Sequence, residues 1–268
     1  MSTFRTDDGV RIAYRLAGDH AVEGAAPLLL LHGFPLHGAV WNRVVSPLAE
    51  SGPVIVADLR GFGDSAVPAG PYTMERMAHD MAQLLDHLGV ARASVAGHSM
   101  GGYVALALAD LYPGKVAGLA LVHSHPFADD EAARQQRYQV ATEIMGDGRD
   151  RWNRNMADRL LGQDAGQHAV FQEVLSLVAE ADAMAIAAAS VGMALRPYRA
   201  HVWRRHHGPT LHISGEGDKV LPPKKALEVQ LERPRDPHAV LHTAHCSMLE
   251  APEHLARTLL TWWNQGAR

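Results

Sequence analysis

The chain of 268 residues is 47% hydrophobic, which is enough to bury the core of one large domain or of a domain with an inserted subdomain. Its formal net charge of −4 at pH 7 gives no reason to expect nucleic acid or an anionic membrane as a partner. The longest apolar stretches, such as Ala183–Ala189, are far shorter than the ~20 residues that cross a bilayer, which excludes membrane spanning. Cys246 is the single cysteine, and residues 1–7 lack the apolar core of a secretory signal, so we expect a cytoplasmic protein.

Short β-branched or leucine-rich runs alternate with segments of helical spacing along the chain. This alternation is typical of an α/β fold, in which a mainly parallel sheet is covered by helices on both faces. We expect the first strand to pair antiparallel at an edge of the sheet. The predicted strands are Val10–Leu16, Pro27–Leu31, Val54–Ala57, Ala93–Ala96, Val116–Val122, Thr210–Ile213 and Ala239–Leu241.

Three helices of the main fold are predicted from apolar spacing and from their end signals. The first has Thr73 as its N-cap and Gly89 as its C-terminal stop, and the second ends before Pro113. Their ranges are Met74–Leu88, Met100–Leu111 and Pro252–Trp263.

More than eighty residues without a strand signal separate Val122 from Thr210. We predict that this segment is helical and forms a cap over 125–207, inserted between two parts of the core at 1–124 and 208–268. Either Asp129 or Asp130 is expected to cap its first helix. The predicted cap helices are Glu131–Met145, Arg151–Leu161, Val170–Ala181 and Ala183–Leu195.

The segment Gly97-His98-Ser99-Met100-Gly101 follows an apolar strand and opens a helix. That context is typical of a nucleophile elbow, a tight turn that holds its serine in a strained backbone conformation and leaves room only for glycine two positions before and after it. The helix also directs its positive end toward the serine. Because the same five-residue pattern occurs in ordinary glycine-rich loops, the prediction that Ser99 is a nucleophile depends on finding its partners.

A serine hydroxyl needs a base, and the base needs an orienting carboxylate. Asp218 follows the strand that ends at Ile213, and His245 follows the next strand. Since the ends of successive parallel strands meet at one edge of a sheet, we predict that Ser99, Asp218 and His245 form a catalytic triad. Glu216 is the alternative acid.

The tetrahedral intermediate of acyl transfer needs N–H donors for its oxygen. The amide of Met100, directly after the nucleophile, is one expected donor. The other is the amide of Phe34, because Pro35 has no N–H and Gly33 permits a turn that directs the Phe34 amide inward. His32 is interpreted as a structural residue that holds this loop.

Five segments together resemble the α/β-hydrolase superfamily, and within it the compact esterase, lactonase and haloperoxidase-like branch. The resemblance implies an α/β-hydrolase fold with a mostly parallel eight-stranded sheet, a helical cap between strands six and seven, and no cofactor. A serine at the elbow argues against the epoxide hydrolases and haloalkane dehalogenases of the superfamily. The segments are His32–Pro35, Asp58–Ser65, Gly97–Gly102, Gly215–Asp218 and His245–Glu253.

Substrate-binding candidates come from the cap and its hinge. His123 and His125 alternate at the end of a predicted strand and should share a face, where they either line the pocket or pack as polar core residues. Apolar cap residues are expected to line an acyl pocket, although the core of a helical cap would use the same residues. The candidates are Met145, Trp152 and Leu160, with Met156, Leu161 and Met184 as further apolar side chains.

We interpret the chain as a serine hydrolase that cleaves a small, uncharged carboxylic ester or lactone through an acyl-enzyme on Ser99. The expected partner is this small-molecule substrate, with no nucleic acid, membrane or metal, and the chain is expected to be a monomer or homodimer. The same triad supports C–C bond hydrolysis, aminopeptidase, perhydrolase or lyase chemistry. A ligand-binding receptor with slow or vestigial hydrolysis is the alternative from another class.

Overall fold

The computed structural model describes residues 1–18, 26–162 and 169–265. Eight strands in this part of the chain form one sheet in the order β1-β2-β4-β3-β5-β6-β7-β8. The strands are β1 (Ser2–Arg5), β2 (Arg11–Ala17), β3 (Leu28–Leu31), β4 (Val54–Ala57), β5 (Ala93–His98), β6 (Val116–Val122), β7 (Thr210–Gly215) and β8 (His238–Leu241). The predicted mostly parallel eight-stranded α/β fold is confirmed.

The first strand predicted from the sequence lies inside the sheet and not at its edge. This strand, β2, pairs antiparallel with both β1 and β4, while β3 to β8 pair in parallel. The edge is β1, which the sequence analysis missed because Phe4 is its one buried residue and no apolar alternation marks it.

Helices cover both faces of the sheet because alternate side chains of the central strands point to opposite sides. In β3, Leu29 and Leu31 pack into one core layer, and Leu28 and Leu30 pack into the other. All four leucines are fully buried, and burying each one stabilises the fold by about 1.5–3 kcal/mol.

The three predicted core helices are confirmed, and Thr73 caps the first by accepting a hydrogen bond from the Arg76 amide at 3.1 Å. Three other helices of the core, α1, α9 and α10, were not predicted, and neither was α8 at the end of the segment between β6 and β7. The helices are α1 (Asn42–Ala49), α2 (Met74–His87), α3 (Met100–Leu111), α4 (Glu131–Glu143), α5 (Arg149–Leu161), α6 (Phe171–Glu180), α7 (Ala183–Ala194), α8 (Ala200–Arg205), α9 (Pro223–Glu232), α10 (Ser247–Glu250) and α11 (Pro252–Trp263).

Among the described residues between β6 and β7, the regular elements are the helices α4 to α8, which agrees with the predicted helical character of this segment. Of the two proposed caps for α4, Asp130 has this function, since its Oδ1 accepts a hydrogen bond from the Ala133 amide at 2.8 Å. Among the residues that the structure describes, no single helix is long and apolar enough to cross a membrane. The pair α6 and α7 meets the length and composition test together but is bent by 93° at its break.

Candidate active site

The turn at Ser99 has the strained geometry of a nucleophile elbow. Ser99 has φ 50° and ψ −112°, a conformation that costs about 1–3 kcal/mol for a residue with a side chain. A Cβ on Gly97 would lie 2.3 Å from the Gly101 carbonyl oxygen, and one on Gly101 would lie 2.5 Å from the carbonyl oxygen of Leu31. Both glycines are therefore required by close packing, as predicted.

The loop after β3 lies directly against the serine. A Cβ on Gly33 would lie 3.1 Å from the Ser99 Cβ, so the backbone of Gly33 passes beside the nucleophile. Within the described residues, the amides of Phe34 and Met100 donate to no carbonyl or side-chain acceptor. Both residues are buried. In the described residues, two N–H donors from the segments next to Ser99 are thus without a protein acceptor.

His245 and Asp218 are joined by a buried hydrogen bond. The His245 Nδ1 and the Asp218 Oδ2 are 2.7 Å apart, and both side chains are shielded from solvent. Because an ionised carboxylate only accepts hydrogen bonds, the His245 proton is on Nδ1. The Nε2 of His245 has no partner in the described part of the chain, and His245 lines the same cavity as Ser99. The Nε2 atom is thus not used by any hydrogen bond within the described residues.

The Asp218 carboxylate is held by four hydrogen bonds. Its Oδ1 accepts from the amides of Val220 and Leu221, each at 2.8 Å. Its Oδ2 accepts from His245 and also from the Nδ1 of His123 at 2.9 Å. Burial acts to raise the pKa of Asp218, but the two histidines outweigh this effect and the pKa is well below its usual value. Asp218 is therefore ionised at neutral pH.

The expectation that His123 lines the substrate pocket is wrong. Strand β6 ends at Val122, and His123 adopts φ 50°, so its side chain does not continue the strand alternation that the sequence analysis assumed. The ring is buried between Asp218 and Ser247, whose hydroxyl lies 2.8 Å from His123 Nε2. Burial lowers the pKa of His123, so the ring is neutral, donates to Asp218 and accepts from Ser247. His125 lies apart from it and lines the cavity.

The backbone around His245 is fixed from three sides by hydrogen bonds that were not predicted from the sequence. The His245 amide donates to the Leu160 carbonyl of the cap at 3.0 Å. The His98 Nε2–H donates to the His245 carbonyl at 2.8 Å. The Glu250 carboxylate accepts from the amides of Ala244 at 2.8 Å and Cys246 at 2.9 Å. These contacts fix the backbone that carries the His245 ring. The only local indication of them in the sequence is the position of Glu250 four residues after Cys246.

A cavity of about 180 Å³ contains Ser99 and His245 and lies between the sheet edge and the cap. It is below the about 300–1,000 Å³ typical of sites for drug-sized ligands, which favours a small ligand. Apolar and polar side chains both line it, in addition to Ser99 and His245: Phe34, Tyr103, Ala133, Val140, Met156, Leu160, Met193 and Val220 are apolar or aromatic, and His125, Asp129, Gln136, Arg137, Arg159 and Ser190 are polar.

Of the cap residues proposed to bind substrate, Leu160 lines the cavity but Met145 and Trp152 do not. Met145 lies beyond the end of α4, is 59% exposed and borders a groove on the surface with Met184. Trp152 packs against the loop after β3, with its ring centroid 6.3 Å from that of Phe34. The end signals in the sequence predicted where these helices begin and end. They did not predict which face of each helix lines the cavity.

The alternatives for two residues are decided by their contacts. Glu216 is exposed and binds His242 at 2.6 Å, so Asp218 is the acid that meets His245. His32 accepts a hydrogen bond from the Leu59 amide at 2.9 Å through Nε2 and donates to the Gly33 carbonyl at 3.0 Å through Nδ1. Burial lowers the pKa of His32 to about 4, so it is a neutral residue that holds the loop after β3 to the segment after β4.

In the described residues, His123, Asp218 and His245 are a group whose potential metal-ligand atoms lie within 4.8 Å of one another. Their separations of 2.7 and 2.9 Å are those of hydrogen bonds, and the outer nitrogen of His123 is already bonded to Ser247. We therefore interpret the group as a hydrogen-bonded network. That the site uses no metal and no cofactor stays a prediction.

Comparison with solved structures supports the fold at full length. An esterase from Thermogutta terrifontis, solved with malate bound, is 30% identical with a TM-score of 0.92, and the alignment covers 100% of both chains. The enol-lactonase from Burkholderia xenovorans is 23% identical with a TM-score of 0.86, over 96% of this chain and 98% of that one, which shows a common fold.

Among curated proteins, the putative carbamate hydrolase RutD of Caulobacter segnis is 37% identical over 134 residues, or 49% of each chain. The segments matched in the first relatives span about a third to a half of those proteins. The family model described as "alpha/beta hydrolase fold" matches residues 26–252, which include the elbow, Asp218 and His245. The chain therefore belongs to the α/β-hydrolase fold family.

Proposed function

We propose that the protein is a serine hydrolase that cleaves a small carboxylic ester or lactone. The observation that carries the proposal is the state of His245, which lines the cavity of Ser99: its Nδ1 is bonded to the buried, ionised Asp218, and its Nε2 has no partner among the described residues. A general base in this tautomer and a serine on a strained elbow are the two groups that acyl transfer requires. The small cavity and the esterase and lactonase among similar structures support this substrate class.

In the first step, Ser99 Oγ attacks the carbonyl carbon while His245 Nε2 takes its proton, and the carbonyl electrons move to the oxygen. The amides of Phe34 and Met100 donate to that oxyanion. Asp218 stabilises the positive charge of the imidazolium through the 2.7 Å hydrogen bond. The intermediate collapses when the alcohol leaves with the proton from His245, and an acyl group is then bound to Ser99.

In the second step, His245 removes a proton from water as the water attacks the acyl carbonyl. The same oxyanion site stabilises the second intermediate, which expels Ser99 and returns its proton from His245. For a lactone, the alcohol and the acid stay in one molecule, and ring opening is the net reaction. No further reactant is needed in either case.

The experiment is active-site labelling with a fluorophosphonate, followed by mass mapping of the adduct. We expect the label on Ser99, and its absence in Ser99→Ala. Hydrolysis of short p-nitrophenyl esters should show a burst of p-nitrophenol, and Ser99→Ala should lower turnover by roughly four or more orders of magnitude. A label on another residue contradicts the proposal. Neither label nor burst would favour a ligand-binding receptor.

A further inference from the structure

One side of the cavity is built by one face of each of two cap helices, and each face carries an arginine. Residues three or four apart lie on the same face of a helix, so the positions that line the cavity form one stripe on α4 and one on α5. Arg137 and Arg159 are therefore placed beside the same space as Ser99 and His245. The stripes are Ala133, Gln136, Arg137 and Val140 on α4, and Met156, Arg159 and Leu160 on α5.

The acidic groups at the cavity do not balance these cations. Asp129 is the acidic residue among the described side chains that line it. The Oδ1 of Asp129 accepts from Arg196 at 2.6 Å, and its Oδ2 accepts from Arg137 at 3.3 Å. Both carboxylate oxygens are thus already used. Within the described ranges, the guanidinium of Arg159 has no hydrogen bond and no ion pair.

Arg159 is a solvent-exposed residue at the end of α5 that lines the same cavity as His245. It directly precedes Leu160, whose carbonyl accepts the amide hydrogen of His245 at 3.0 Å. Desolvation lowers the pKa of Arg159, the like charge of Arg137 lowers it further, and Asp218 opposes them. A guanidinium is nevertheless charged at neutral pH, and its planar fork of N–H donors matches the two oxygens of a carboxylate.

We propose that Arg159 binds a free carboxylate of the substrate, so that the preferred substrates are half-esters of dicarboxylic acids or lactones that carry a carboxylate. The inference rests on the proposed function of Ser99, because the ester carbonyl must reach Ser99 while the carboxylate meets Arg159. It replaces the uncharged substrate expected from the sequence. The apolar residues of the two stripes would contact the carbon chain between these groups.

The test compares ligands that differ only in one charge. In a Ser99→Ala background, calorimetry would measure the affinity of the monomethyl esters of succinic, glutaric and adipic acid against their dimethyl esters. We expect at least one monomethyl ester to bind tenfold tighter or more than its dimethyl ester. Arg159→Gln should remove this preference. Arg154→Gln is the matched control and should keep it, because Arg154 is an arginine on α5 that is exposed like Arg159 but does not line the cavity.

Equal affinity for every pair, or a preference that survives Arg159→Gln, overturns the inference. So does an equal loss for both esters in Arg159→Gln, because that is the mark of a purely structural role. Release of methanol by the protein with Ser99 intact tests the proposed function separately. Arg159-dependent binding without methanol release would support the carboxylate site and refute the proposed hydrolase function. Methanol release from the monomethyl and dimethyl esters at equal rates would support the hydrolase function and refute the carboxylate site.

Discussion

The hydrogen bond from His123 to Asp218 should contribute to both stability and turnover. Replacing His123 by alanine removes one of the two donors to Asp218 Oδ2, at a site where both side chains are fully buried. The remaining donor to this oxygen is His245, and the carboxylate is then less firmly held in the orientation that the base requires. His123→Asn is the matched control, since asparagine keeps an N–H donor near the position of Nδ1 and tolerates the positive φ of 50°.

The magnitude follows from the charge on the acceptor. A hydrogen bond to a charged group contributes about 1.5–3 kcal/mol, and the cavity left by the ring adds to the loss, so we expect His123→Ala to lower the free energy of unfolding by about 2–4 kcal/mol. If this hydrogen bond stabilises the transition state by the same amount, its loss should lower kcat about 10- to 100-fold, because each 1.36 kcal/mol changes a rate by a factor of ten. KM should change little, since His123 does not line the cavity.

The assay is ester hydrolysis at saturating substrate, combined with urea unfolding of the same variants. His123→Asn should recover most of kcat, whereas Ser247→Ala should lower stability because it leaves the buried His123 Nε2 without its 2.8 Å donor. A His123→Ala variant with normal kcat and reduced stability would refute the positioning role. A loss of kcat that His123→Asn does not recover would refute the role of the Nδ1 donor.

Two further predictions concern the stability of the fold. Gly97→Ala should prevent folding or destabilise the fold by at least about 1–3 kcal/mol, because the new Cβ would lie 2.3 Å from the Gly101 carbonyl oxygen. The control is Gly114→Ala, whose Cβ meets nothing within 4 Å and which should unfold at nearly the wild-type urea concentration. Equal unfolding midpoints for the two variants would refute the packing argument. Burial lowers the pKa of His32 to about 4 and that of His212 to about 3. Below pH ~6.5 the unfolded chain therefore binds more protons than the fold, and the free energy of unfolding should decrease by up to about 1.4 kcal/mol per pH unit for each such histidine, until the pH reaches its folded pKa. Urea unfolding at pH 7, 6 and 5 checks the sign, His212→Gln should reduce the slope, and a stability that is constant or rises toward pH 5 would contradict the prediction.

The elbow and its partners could be predicted because each is encoded by a short segment. The glycine spacing around Ser99 is a steric requirement of one turn, and Asp218 and His245 each follow an apolar strand whose end is visible in the sequence. The order of the strands in the sheet brings these ends together. The sequence therefore predicted which groups meet, although it offered no distance and no account of what else touches the carboxylate.

The contacts of His123 could not be predicted, because they depend on one backbone angle. Alternation along β6 would place His123 and His125 on one face, and the positive φ at His123 separates them. A histidine in the sequence does not indicate a positive φ, because residues other than glycine adopt this angle only rarely. The second donor to Asp218 is thus a product of tertiary packing around the strand end.

The face of α4 that lines the cavity shows why substrate recognition is harder to predict than the catalytic groups. None of its described residues is buried, so the helix has no apolar stripe that would indicate its orientation. On α5, by contrast, Leu160 links the cavity to His245 through its carbonyl, and the adjacent Arg159 has no anionic partner among the residues that the structure describes. Arg159, which we propose to bind the substrate carboxylate, is thus the direct sequence neighbour of Leu160, whose carbonyl accepts the His245 amide hydrogen. A change in the end of α5 should therefore alter specificity and turnover together.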